Sequence, residues 1–213
     1  MIRSWFKVFY AVEFIGVGVF MPYMAMFFIR KNLTSIEVGY LLAITPFAGF
    51  ISQPFWGLIS DKLNLTKTLV TIGCFVTSVL VLALIFTDSF WVLLLIVAII
   101  SIVRSPIHPN VAALALSHLE SRGKQDEYGK FRLWGSVGFV LATVFAGGLL
   151  FEDNLSLTIY IYSISMFILG VISFFLPDRQ VSSNIQWKDG LSLLSGHIEL
   201  RVLLIGIVCV GVT

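Results

Sequence analysis

The stretch WVLLLIVAIISIVRSPIHPNVAALAL, residues 91–116, decides the fold. Its 26 residues carry one permanent charge, Arg104, and exceed the roughly 20 that an α-helix needs to cross bilayer hydrocarbon. Five further segments of at least 19 residues share this character, at 6–28, 38–60, 68–87, 133–151 and 157–176. Over all 213 residues, 58% are hydrophobic and 12% charged, and mean hydropathy is +0.96. That composition excludes a soluble single domain. The expectation is an all-α integral membrane protein whose residues 1–176 form a bundle of six transmembrane helices.

Residues 177–201 form a polar connection containing Asp178, Arg179, Lys188 and Asp189, with an amphipathic stretch at 187–194. It reads as a cytoplasmic linker. Residues 202–213 begin a seventh apolar run, but about 12 residues cover roughly 18 Å of a roughly 30 Å core. They read as the truncated start of a seventh helix, and the whole as the first half of a longer protein.

With the N-terminus in the cytoplasm, eleven basic residues fall inside: Arg3, Lys7, Lys62, Lys67, Arg122, Lys124, Lys130, Arg132, Arg179, Lys188 and Arg201. Only Arg30 and Lys31 fall outside, which fixes the expected orientation of a multi-pass cell-membrane protein. A net charge of +2, dispersed in short loops, gives no basis for nucleic-acid binding. Cys74 and Cys209 lie in apolar runs without metal-ligand spacing, and His108, His118 and His197 are scattered, so neither metal nor cofactor is expected. There is no HExxH pair, GxSxG elbow or P-loop. The sequence therefore points away from enzyme chemistry.

Charges inside the spans carry the functional signal. Glu13 lies roughly 10 Å into the first span, and Arg104 lies near the middle of the fourth, where a charge costs about 2.5–3.5 kcal/mol on insertion scales. His108 follows one helical turn after Arg104, with Ser101, Ser105 and Asn110 nearby. Glu13, Arg104 and His108 are expected to line an aqueous cavity closed from below by Arg132, with aromatic platforms from Tyr10, Tyr23, Phe27, Trp134 and Phe139. A structural ion pair fixing the first and fourth helices is the alternative. Glu13 precedes Pro22 in the first span, and Arg104 precedes Pro106 and Pro109 in the fourth. Interrupted, charge-bearing helices at matching places in two groups of three suggest a 3+3 inverted repeat, although proline is common in membrane helices.

Two stretches are more specific. Residues 53–67, QPFWGLISDKLNLTK, place small Gly57 and Ser60 before Asp61 and Lys62, with Asn64 suited to a tight left-handed reversal and Lys67 beyond it. Residues 128–139, YGKFRLWGSVGF, set Arg132 beside a narrow face of Gly129, Gly135, Ser136 and Gly138. With GVFMPY at 18–23, they resemble the major facilitator superfamily, within it the lactose permease and phenylpropionate permease group.

The resemblance covers the chain as the N-terminal half of a twelve-helix transporter and implies a C-terminal six-helix half as its partner. It implies that Gly57, Asp61, Lys62 and Lys67 belong to a cytoplasmic gating loop, although Asn64 replaces a usual glycine and Thr66 a usual basic residue. It aligns Arg132 with the fifth-helix arginine that binds sugar in the lactose permease, and Phe139 with a sugar-stacking tryptophan. The acidic partner is absent, since Ala112 occupies its place. The expected function is secondary transport by alternating access, as proton-coupled symport of a small polar solute such as a sugar or oligosaccharide, a nucleoside or an aromatic acid. A non-transporting membrane subunit or truncated six-helix product is the alternative.

Overall fold

Proline and glycine, more than hydropathy, shape the helices of this chain. A computed structural model describes residues 2–149 and 154–178, and every regular element among them is helical. The chain divides into two units, 1–180 and 181–213. The expected linker residues beyond 178 and the expected seventh helix lie outside the described residues, as do Arg179, Lys188, His197, Arg201 and Cys209.

The first rod consists of α1 (Ile2–Phe20), a single 3₁₀ turn (Met21–Tyr23) and α2 (Met24–Arg30). The second is α3 (Ser35–Leu63), and the third is α4 (Thr66–Leu82) with a 3₁₀ turn at Ala83–Ile85. The fourth is α5 (Phe90–Arg104) continued after a break by α6 (Ile107–Glu120). The fifth is α7 (Tyr128–Leu149) and the sixth α8 (Ser156–Ser173). Among the described residues, five stretches are long and apolar enough to cross a membrane: Ser4–Arg30, Ser35–Leu63, Thr66–Ile85, Phe90–Glu120 and Ser156–Ser173. The α7 helix has 22 residues, matching a bilayer in length.

Local chemistry sets the turns. Thr34 opens α3 with a capping box, its hydroxyl accepting from the Glu37 N–H at 3.3 Å while the Glu37 carboxylate accepts from the Thr34 N–H at 2.8 Å. Asn64 ends the same helix at φ 51°, the left-handed conformation its short polar side chain tolerates. At one end of the bundle, Lys31 donates to the Thr87 carbonyl at 2.8 Å and pairs with Asp88 at 2.6 Å. At the other, Lys67 donates to the Phe174 carbonyl at 2.9 Å, capping the last turn of α8. Successive links therefore alternate between ends, and neighbouring rods run antiparallel.

The rods pack in a defined pattern. The α1 helix lies against α7 and α8, α4 lies against α8 and against both pieces of the fourth rod, and α3 lies against α5. The α1–α7 contact is close because it uses glycine on both sides. A Cβ at Gly18 would stand 2.8 Å from the Phe139 carbonyl oxygen, and one at Gly138 would stand 2.7 Å from that of Ala11. A Cβ at Gly135 would strike the Phe14 ring at 2.7 Å. Small residues are what allow such an approach where apolar surfaces gain nothing by leaving lipid. At Gly57 and Gly129 an added Cβ meets nothing within 4 Å, so within the described bundle neither supports a close approach.

Proline removes an N–H and frees the carbonyl four residues earlier. Pro22 frees the Gly18 carbonyl, and Thr143 of α7 donates its hydroxyl to it at 3.3 Å. Pro106 frees the Ile102 carbonyl, which accepts from the Trp56 indole N–H of α3 at 2.8 Å and from the Ser105 hydroxyl at 3.0 Å. Each break is thus stabilised by a donor from a neighbouring rod, as an interior without water demands.

Candidate functional site

The two breaks flank a cluster of ionisable side chains, Glu13, Arg104 and His108, of which Arg104 is half-buried and His108 exposed. Glu13 of α1 is buried, 5% exposed, and its Oε1 lies 3.3 Å from Nδ1 of His108, which α6 presents just past the Pro106 break. The rings of Tyr10 and Phe14 stand edge-on to the imidazole at 5.9 and 6.0 Å. The other carboxylate oxygen of Glu13 is buried with no hydrogen-bond partner among the described residues.

These groups open on a cavity of about 210 Å³ walled by the first, second, fourth and sixth rods. Glu13, Arg104 and His108 all reach its wall, joined by Ser101 and Ser105. The second rod adds Thr45 and Gly49, and the apolar part of the wall comes from residues such as Phe20, Met21 and Met24. Tyr162 of α8 completes it. The Arg104 guanidinium sits 5.9 Å from the centre of the Tyr162 ring, a cation–π contact, and that ring stacks on Phe20 at 4.4 Å. The Tyr162 hydroxyl is buried without a partner among the described residues. Unsatisfied polar atoms of this kind cost stability unless water or a ligand meets them.

Other sequence candidates stand apart from this wall. Arg132 is exposed at the start of α7, outside the lining yet within electrostatic reach of Tyr10 and His108. Tyr10 is fully buried behind it, its hydroxyl 3.2 Å from that of Tyr128. Phe139 is half-buried in the α1–α7 contact, and Trp134 is exposed. Tyr23 and Phe27 are buried, Tyr23 donating to the Thr143 carbonyl at 3.3 Å. Asn110 is buried on the far side of α6, its Oδ1 accepting from Ser60 at 3.2 Å. Within the loop motif Asp61 and Lys62 are exposed, while Lys67 is committed to the α8 terminus. Sequence reading missed Phe20, Met21, Thr45 and Tyr162, since neutral side chains in apolar runs give no signal of which face meets a cavity. Among the described residues, no group of three or more His, Cys, Asp or Glu converges as a metal site would require.

Apolar rods around a small charged cavity define a multi-pass helical membrane protein. The chain belongs to the MFS_1 like family, whose model matches residues 4–195. It is 28% identical over 202 residues to YwbF of Bacillus subtilis (strain 168), described as an uncharacterized transporter, a match covering 93% of this chain and 50% of YwbF. It is 25% identical to the maltose permease of Geobacillus stearothermophilus, over 78% of this chain and 42% of the permease. A probable 3-phenylpropionic acid transporter of Escherichia coli (strain K12) is 26% identical, over 79% of this chain and 44% of that one. The fold also superposes on the crystal structure of the nucleoside transporter NupG with a TM-score of 0.78 at 16% identity, covering 96% of this chain and 53% of that chain. These relatives are transporters, not enzymes. The chain spans about half the length of the curated relatives it matches.

Proposed function

We propose that this chain is the first half of a secondary transporter that moves a small polar solute by alternating access, coupled to protons. The observation that carries the reading is the buried Glu13, held by His108 through one oxygen and buried without a partner among the described residues at the other, at the wall of a cavity that Arg104 also lines. A buried carboxylate between a titratable imidazole and a guanidinium is a site where a change of distance takes up or releases a proton. A second half, related in length to the part of the relatives this chain does not cover, would close the cavity from the other side. The excess of basic residues on one set of links supports a cytoplasmic N-terminus in the cell membrane.

Two contact patterns support an inverted 3+3 repeat with six crossing helices. Exchanging rods one, two and three for four, five and six turns the first–fifth contact into the fourth–second, the first–sixth into the fourth–third, and leaves the third–sixth unchanged. All of these contacts are present. The same exchange relates the proline repairs, the fifth rod serving the break in the first and the second rod serving the break in the fourth. Matching interrupted helices at a repeat interface are where transporters of this kind place their sites.

The test is uptake by the complete gene product in proteoliposomes, using 3-phenylpropionate, maltose and uridine as probes. One proton moving down 100 mV corresponds to about 2.3 kcal/mol, or roughly fifty-fold accumulation. Glu13→Gln is expected to lower accumulation towards unity while leaving solute exchange measurable. Unchanged uphill uptake would remove Glu13 from coupling, and no flux of any probe would refute the transporter reading.

A further inference from the structure

The wall of the cavity holds a cation with no direct ion-pair partner among the described residues. Arg104 makes no hydrogen bond or ion pair among the described residues, and the centre of the Tyr162 ring stands 5.9 Å from its guanidinium. Glu13, the carboxylate on the same wall, is engaged by His108. Arg104 on the wall and Arg132 outside the lining both lie within electrostatic reach of that imidazole.

Tyr162 is built into position. Its ring is 1% exposed and stacks on Phe20 with an interplanar angle of 9°. Gly16 makes room for it, since a Cβ there would stand 3.3 Å from the ring and 3.0 Å from Ser165 Cβ. The result is a buried hydroxyl with no partner among the described residues, on a ring whose centre lies 5.9 Å from a guanidinium with unused donors, at the wall of a small cavity.

Resting on the transporter reading, we propose that Arg104 and Tyr162 form the recognition element and that it selects small organic carboxylates with a compact apolar or aromatic body. A guanidinium presents parallel N–H donors that match a carboxylate in a bidentate fork. The phenol supplies a further donor, and Phe20, Met21, Met24 and Ile100 give the rest of the solute an apolar bed. A neutral sugar or nucleoside would leave the Arg104 donors without a charged acceptor, and a site built around a charged partner rejects analogues that lack it.

The experiment compares acids with their isosteric amides. The complete gene product, purified in detergent, is titrated with benzoate, benzamide, 3-phenylpropionate, 3-phenylpropionamide, maltose and uridine, followed by thermal unfolding and calorimetry. The acids should bind and raise the unfolding temperature, and the four neutral compounds should not. Arg104→Gln should weaken acid binding by about tenfold or more, and Tyr162→Phe, which keeps the stacked ring, by about fivefold. Should Arg104→Gln fail to fold, the Tyr162→Phe result decides. Equal binding of amide and acid, no binding of either acid, or acid binding unaffected by both substitutions would overturn the assignment. Glu13-dependent uptake of maltose or uridine would overturn it while keeping the transporter reading. Arg104-dependent acid binding without flux would keep the carboxylate site and remove transport.

Discussion

Alanine at position 138 should loosen the α1–α7 contact by about 1–3 kcal/mol, and leucine there should prevent the bundle from assembling. The new Cβ would stand 2.7 Å from the Ala11 carbonyl oxygen, a backbone atom that cannot rotate away. The two helices must separate, and Gly18 and Gly135, which rely on the same approach, separate with them. The gain in helix propensity from glycine to alanine, about 1 kcal/mol, opposes the loss and leaves a net destabilisation. Gly129→Ala is the matched control, because an added Cβ there meets nothing within 4 Å, and it should be neutral or slightly stabilising. Thermal unfolding of the purified variants measures both. Equal effects at 129 and 138 would mean that the close contact between α1 and α7 does not exist.

The second large effect concerns the carbonyls that proline sets free. Thr143→Val removes the hydroxyl that meets the Gly18 carbonyl and should cost about 1–3 kcal/mol, the cost of a buried acceptor left alone. The Ile102 carbonyl has two donors, so Trp56→Phe should cost about 1 kcal/mol and the double change Trp56→Phe with Ser105→Ala distinctly more than the sum of the single changes. Restoring the missing N–H should rescue each defect. Pro22→Ala should offset Thr143→Val, and Pro106→Ala should offset the double variant, both read by thermal unfolding. Failure of the rescue would mean that these side chains act through packing rather than through the freed carbonyls.

Much of the fold was legible because hydropathy and charge act over whole helices. Each of the six expected segments overlaps an observed rod, and Asn64 takes the left-handed conformation its residue type suggested. That Glu13, Arg104 and His108 share one wall was also legible, since ionisable groups in apolar helices must find each other or water. Its neighbours were not. Arg132 was expected to close the cavity from below, but it is exposed near the start of its helix and outside the lining, whereas Arg104 sits mid-rod beside Tyr162. Asn110 lies close to His108 in sequence, yet the helical turn carries it to the opposite face and into a hydrogen bond with Ser60. Tyr162 was invisible because helical periodicity reports a face only where polar and apolar residues alternate, and the sixth rod is apolar throughout except for hydroxyls. Trp56 and Thr143 were invisible for another reason. Their roles depend on which carbonyl a proline on a different rod leaves free, a tertiary relation that no local pattern encodes.

The central claim is that water reaches the space between Glu13 and Arg104, and cysteine accessibility tests it most directly. In a background with Cys74, Cys209 and any other native cysteine replaced by alanine, Thr45→Cys places a thiol on the cavity wall, and Val79→Cys places one on the outer face of α4, where Val79 is 70% exposed. A charged, membrane-impermeant methanethiosulfonate applied to membranes carrying the complete gene product should modify position 45 and leave position 79 untouched, with modification at 45 slowed by a bound solute. Protection of position 45 equal to that of position 79, on both sides of the membrane, would show that the charged groups are sealed in a dry ion pair and would contradict the account.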